Sequence, residues 1–136
     1  MKNILLAISI FVFLSGANAQ QKTSATKSPK PDIYFENPSY DFGTINEGTS
    51  VEMTFKFFNS GKAPLLLKNV KPACGCTASD WPKEPIMPGK SGEIKATFHS
   101  NGYKGQNVHK SITVTTNVDD NGSDKVIVLY FKGFVK

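Results

Sequence analysis

Val51-Glu52-Met53-Thr54-Phe55-Lys56-Phe57-Phe58 alternates apolar and polar side chains with a period of two. Val51, Met53, Phe55 and Phe57 fall on one side, Glu52, Thr54 and Lys56 on the other. Only an extended strand with one buried face separates residues this way. The same reading extends outward in both directions. Upstream, Tyr40, Phe42 and Ile45 alternate with an irregularity at Gly43, before a turn at Asn46-Glu47-Gly48, and residues 33–35 make a short strand. Downstream, strands are predicted over residues 65–70, 92–99, 108–116 and 126–135. In residues 92–99, Ile94, Ala96 and Phe98 point inward and Glu93, Lys95, Thr97 and His99 outward. Residues 126–135 are largely apolar and read as a central strand, entered through a hairpin turn at Asp119-Asp120-Asn121-Gly122. Residues 71–91, with four prolines and both cysteines, read as one long irregular connection.

No segment keeps apolar residues at helical spacing for three turns, so the fold class is all-β. About seven short strands separated by frequent turns indicate an Ig-like β-sandwich over residues 32–136. Ahead of it, residues 20–31 are rich in Lys, Ser, Thr, Pro and Gln and read as a disordered linker. Residues 1–19 carry Lys2, an apolar run from Ile4 to Leu14 and the small-x-small end Ala17-Asn18-Ala19. These are the parts of a secretory signal peptide, with cleavage between Ala19 and Gln20. The apolar run is about half of the roughly 20 residues that a membrane span requires. The expected mature chain therefore has no membrane span and is extracytoplasmic, either periplasmic or secreted.

The 136 residues contain 16 Lys+Arg against 11 Asp+Glu, and all the basic ones are lysines. Arginine is the usual fork for phosphates and guanine edges, and these lysines are dispersed rather than clustered. Nucleic acid is thereby excluded as the expected partner. The lysines are read as solubilising groups that blunt strand edges.

Chemistry-bearing residues are few. Cys74-Gly75-Cys76 is the one suggestive arrangement, and three readings are open. The cysteines can close a disulfide, inert or redox-active, because Gly75 permits the necessary bend. They can be buried thiols shaping the loop. Or they can hold copper or zinc, with His99 and His109 supplying further ligands. A hairpin pairing Ile94 with Val114 would set His99 opposite His109, although outward histidines on strands are ordinarily solvated surface. Trp81, the sole tryptophan, sits near the cysteines with Asp80 and Lys83. It is either an exposed partner-binding residue or a cover for the open end of the sandwich. No nucleophile–base triad and no phosphate loop is present, and a thiol nucleophile would need a base close by. Asp41-Phe42-Gly43 spells a kinase magnesium motif without the accompanying kinase segments.

Several of these stretches together resemble a bacterial family known as domain of unknown function 1573. Tyr40-Asp41-Phe42-Gly43-Thr44-Ile45-Asn46-Glu47-Gly48 is similar to its opening, and Phe55-Lys56-Phe57-Phe58-Asn59-Ser60-Gly61 to its F-x-F-x-N-x-G strand and turn. Cys74-Gly75-Cys76-Thr77 resembles its C-G-C-T hallmark, and Pro88-Gly89 with residues 92–98 its P-G-x-x-G-x-I-x-x-x-F segment. The resemblance implies an exported Ig-like sandwich of the major-sperm-protein and pilus-chaperone type, and it implies no activity. Pilus chaperones hold a client's carboxylate with a basic pair that includes Arg, which this chain lacks. The functional expectation is an exported, non-enzymatic module, without cofactor, that binds a protein or a cell-envelope component. The alternative is a thiol-redox or copper-handling protein acting through Cys74 and Cys76.

Overall fold

The computed structural model describes residues 28–136. The signal peptide and cleavage site expected at residues 1–20, and most of the expected linker, lie outside the described residues. Lys30 contacts the domain: its carbonyl accepts from the Lys62 amide at 2.8 Å and its ammonium pairs with Asp119.

Among the described residues all regular structure is β. The strands are β1 (Ile33–Phe35), β2 (Ser39–Ile45), β3 (Ser50–Asn59), β4 (Leu67–Pro72), β5 (Thr77–Asp80), β6 (Ser91–His99), β7 (Gln106–Asp120) and β8 (Ser123–Val135). They form two four-stranded sheets, ordered β1-β3-β6-β5 and β2-β8-β7-β4. All pairings are antiparallel except β2 with β8. The inner faces meet in one core. Met53 and Phe55 of β3 stand opposite Ala96 and Ile94 of β6, with Phe57 opposite Gly92 and Phe98 opposite Val51. Met53, Phe55, Phe57, Ile94, Ala96 and Phe98 are essentially without exposure. From the second sheet come Ile112, Val114, Leu129, Phe131 and Val135, also fully buried. Phe98 joins the layers, with ring centroids 5.6 Å from Phe42 and 5.5 Å from Phe131. Each such ring pair adds about 0.5–1.5 kcal/mol beyond its buried area.

Local rules hold where the turn chemistry is strong. The β7–β8 hairpin turns through Asn121 and Gly122, both at positive φ (54° and 87°), and Asp119 accepts from the Gly122 amide at 2.7 Å. That is the mirror-image turn whose twist suits a two-residue hairpin. Gly43, at φ 69°, marks the register shift between Asp41 and Thr44.

Two expectations are corrected. There are eight strands, because the connection read as irregular contains β5. Thr77-Ala78-Ser79-Asp80 carries no apolar alternation; it is extended because it pairs with residues 95–98 of β6. The second correction concerns the supposed hairpin of residues 92–99 with 108–116. β6 pairs with β3 and β5 in one sheet, and β7 pairs with β8 and β4 in the other. The connection crosses between the layers. Buried Ser100 ties it to the 46–49 turn, its hydroxyl accepting from the Thr49 amide at 2.9 Å, and its amide donates to the Thr49 carbonyl. The Tyr103 ring then packs edge-on against Phe98 at 5.3 Å.

Candidate functional site

The Cys74-Gly75-Cys76 turn carries the chain from edge strand β4 of one sheet to edge strand β5 of the other. It is fastened at both ends. The Ala73 amide donates to the Ser111 carbonyl of β7, and the Cys76 carbonyl accepts from the His99 amide of β6, each at 2.9 Å. The bend brings the two Cα atoms to 5.3 Å, within the usual disulfide range, and the sulfurs are joined. Both cysteines are half-buried. The Tyr103 hydroxyl donates to Cys76 Sγ at 3.3 Å, and the Thr77 hydroxyl lies 3.8 and 3.9 Å from the two sulfurs. A disulfide sulfur has no proton, so the hydroxyls are the donors in these contacts. Lys110 Nζ stands 5.2 Å from the centre of the Tyr103 ring.

His99 and His109 do not join this turn as a facing pair. His99 is exposed on β6 with Nδ1 2.9 Å from the Ser50 hydroxyl. His109 is exposed on β7, in the other sheet, and stacks on Tyr130 with centroids 5.6 Å apart. The expected His99–His109 geometry is thus overturned by the sheet order. Among the described residues, no group of three or more His, Cys, Asp or Glu side chains is placed to hold a metal ion. Metal ligation by cysteine requires thiolates, and here each sulfur is bonded to the other.

Trp81 follows β5, whereas the cysteines precede it. A four-residue strand rises about 3.3 Å per residue, so the CGC turn and Trp81 flank its two ends and do not form one surface. The indole is half-buried against the core, and Lys83 Nζ covers its ring at 2.8 Å from the centroid. The Asp80 carboxylate accepts from the Trp81 amide at 3.0 Å. Indole Nε1 is buried and has no hydrogen-bond partner among the described residues. Trp81 therefore acts as cover for the sheet edge, while Asp80 and Lys83 remain exposed beside it.

The structure also presents a surface that the sequence reading passed over. On β8, Val126, Val128 and Tyr130 point outward and are 55%, 37% and 42% exposed. They lie in the middle of the β2-β8-β7-β4 sheet. Thr115, Thr113 and Ser111 of β7 stand opposite them, and Ser39 of β2 flanks Tyr130. The ring of His109 lengthens the stripe, and Lys132 and Lys71 lie at its margin. The sequence did signal it: residues 126–131 are apolar at both parities. That pattern was read as a central strand, and β8 is central in its sheet, with only one of its faces covered by the sandwich.

At the far end of the molecule, an open depression of about 510 Å³ is lined by Lys30, Asp32, Gly61, Asp119 and Lys125. Lys30 pairs there with Asp119, and Lys125 with Asp32 at 3.3 Å. Burial pushes the Asp32 carboxyl up, but the Ile33 amide, Lys125 and Ser60 together hold it below its ordinary value. Four of the charges that line the depression are thus paired with one another.

Residues 33–135 match the family described as "Protein of unknown function (DUF1573)". The chain belongs to the DUF1573 family. The match spans every strand from β1 to β8 and includes the CGC turn. No curated protein matches this DUF1573 chain. Among solved structures, it is similar to a protein of unknown function from Porphyromonas gingivalis W83, with a TM-score of 0.64 and 17% identity. That match covers 84% of this chain and 51% of the other, so the chain spans about half the length of its structural relative. The PapD-like domain 7 of human CEP192 matches with a TM-score of 0.59 and 14% identity, covering 98% of both chains. The YadV chaperone matches with a TM-score of 0.58 and 13% identity, over 77% of this chain and 52% of that one. At such identities the likeness establishes the fold: this DUF1573 domain is a PapD-like, Ig-like sandwich. Among the described residues, no helix is long and apolar enough to cross a membrane.

Proposed function

We propose that this DUF1573 domain is a non-enzymatic module that acts outside the cytoplasm and binds another protein through the outer face of the β2-β8-β7-β4 sheet. One observation carries the reading: the uncovered stripe of Val126, Val128 and Tyr130 at the centre of a sheet. Aromatic and aliphatic groups ringed by polar ones are the usual composition of a protein contact. Lys71 and Lys132 at the margin favour a partner with an apolar patch bordered by carboxylates. The leader read in residues 1–19 supports export, and a sandwich shared with a chaperone accords with protein binding. The binding needs no cofactor. Asp80, Trp81 and Lys83 form a second candidate contact, with Trp81 contributing through its cover of the edge rather than as an exposed anchor.

The test is site-specific photo-cross-linking in the cells that make the protein. A cross-linking side chain at Val128 is compared with one at Thr54, on the outside of the other sheet. A discrete protein adduct at Val128 alone is expected. An adduct with polysaccharide instead, or equal labelling at the two positions, overturns the reading. Trp81→Ala should leave the Val128 adduct in place.

A further inference from the structure

We propose that the Cys74–Cys76 bond is a thiol–disulfide exchange site that oxidises a protein dithiol, with Tyr103 as the positioning residue for the leaving sulfur of Cys76. The exchange consumes the bond once per partner dithiol, so it is stoichiometric and stands beside the non-enzymatic sheet-face contact without depending on it. It rests on the asymmetry of the turn. Cys76, but not Cys74, packs against the core, and its Sγ accepts from the Tyr103 hydroxyl at 3.3 Å. Both cysteines are half-buried, and the Gly75 between them is exposed. Cys74 is the sulfur attacked in this scheme, because the other sulfur of the bond already faces a donor.

That donor discriminates between redox states. A neutral disulfide sulfur is a weak acceptor, whereas a thiolate accepts a charge-assisted bond roughly twice as strong. The Tyr103 hydroxyl therefore favours the state in which Cys76 carries the charge, while Thr77 Oγ1, at 3.8 and 3.9 Å from the two sulfurs, serves both alike. The ammonium of Lys110, 5.2 Å from the centre of the Tyr103 ring, adds a positive charge on the donor's side of the bond.

In the first step a thiolate of the partner bonds to Cys74 Sγ. The Cys74–Cys76 bond breaks, and its electron pair leaves on Cys76 Sγ, which the Tyr103 hydroxyl receives. In the second step the partner's other thiolate attacks the mixed disulfide and releases Cys74 as a thiolate. The partner dithiol loses two electrons and becomes a disulfide. Cys74 and Cys76 gain those two electrons, and the protons released by the partner's thiols are available to them.

The test equilibrates the mature protein with dithiothreitol and with glutathione buffers at pH 8, followed by alkylation and intact mass. Glutathione should add to Cys74 and remain there in Cys76→Ser. Tyr103→Phe keeps the ring against Phe98 and removes only the donor. It should lower the equilibrium yield of reduced protein by roughly tenfold, the scale of one hydrogen bond to an ionised group. It should also move the alkylation midpoint of reduced Cys76 upward by about one pH unit, with Cys74 unmoved. Lys110→Gln should shift both readouts in the same direction by less, and it carries the test if Tyr103→Phe fails to fold. Glutathione on Cys76 rather than Cys74, or readouts indifferent to both variants, overturns the proposal. So does a disulfide reduced only after unfolding.

Discussion

The outer faces of the two sheets differ in kind although their inner faces share one core. Outside the β1-β3-β6-β5 sheet, Lys56 stands opposite Glu93, Thr54 opposite Lys95 and Glu52 opposite Thr97, all from strands with clean alternation. Outside the β2-β8-β7-β4 sheet, the same positions hold Val126, Val128 and Tyr130 among threonines and serine. The first face is polar over β3 and β6, with one charge pair, and its exposed aromatic, Tyr34, lies out on the edge strand β1 beside Phe58. The second leaves an apolar stripe in water that a sandwich of this size had no need to expose. The contrast is the ground on which contact is proposed for the second face.

The inner sides sharpen that contrast. Each sheet keeps one inward glycine free of a side chain so that an aromatic ring can enter. A Cβ on Gly92 would meet the Phe57 ring at 2.5 Å, and one on Gly133 would meet the Phe42 ring at 2.1 Å. Phe57 is wholly buried and has nowhere to go, whereas Phe42 is half-buried and can swing outward. Gly92→Ala is therefore expected to cost about 3 kcal/mol and Gly133→Ala about 1–2 kcal/mol, in the range measured for overpacked cores. Urea unfolding of both variants checks the order. Equal costs would mean that both sheets hold their rings equally tightly.

The next effect concerns contact rather than stability. Val128→Asp should weaken partner binding at least tenfold in a pull-down titration, with a change in unfolding free energy of about 1 kcal/mol or less. Lys56→Glu, on the other sheet, should leave binding unchanged. It places two carboxylates opposite each other at Glu93, a cost of about 0.5 kcal/mol. If Lys56→Glu weakens binding as much as Val128→Asp does, the assignment of roles to the faces fails.

The smallest effect lies at the end where the N-terminal segment joins the domain. Burial pushes the Asp32 carboxyl up, but the Ile33 amide, Lys125 and Ser60 outweigh it and hold the folded-state value below the ordinary one. A lowered folded value stabilises the fold above the unfolded value of about 3.9, and that stabilisation is lost as pH falls through the folded value. Thermal unfolding between pH 5 and about pH 2 should show a slightly shallower loss for Asp32→Asn than for the wild type. The group is half-exposed, so the difference is small.

Much of this architecture was readable in the residues. The period of two in residues 51–58 and 92–99 is what one-sided burial requires, and Asp119-Asp120-Asn121-Gly122 names its own turn. Thr77-Ala78-Ser79-Asp80 was not readable as a strand, because an edge strand held by a neighbour needs no apolar pattern of its own. The pairing of residues 92–99 with 108–116 failed for a related reason. Chain adjacency suggests a hairpin, but the buried Ser100 and the Tyr103 ring carry the connection across to the other layer. Cys74 and Cys76 announced themselves through the spacing that allows a bridge. Tyr103 did not, because its hydroxyl reaches Cys76 across 27 positions of sequence. The apolar stripe on β8 was visible as residues, and only the sheet order shows which side of it stays wet.

The most direct measurement is the cross-linking comparison between Val128 and Thr54 in cells. The account predicts one discrete protein adduct from Val128 and none from Thr54. An adduct from Thr54 with none from Val128 would contradict it, and would assign contact to the charged face.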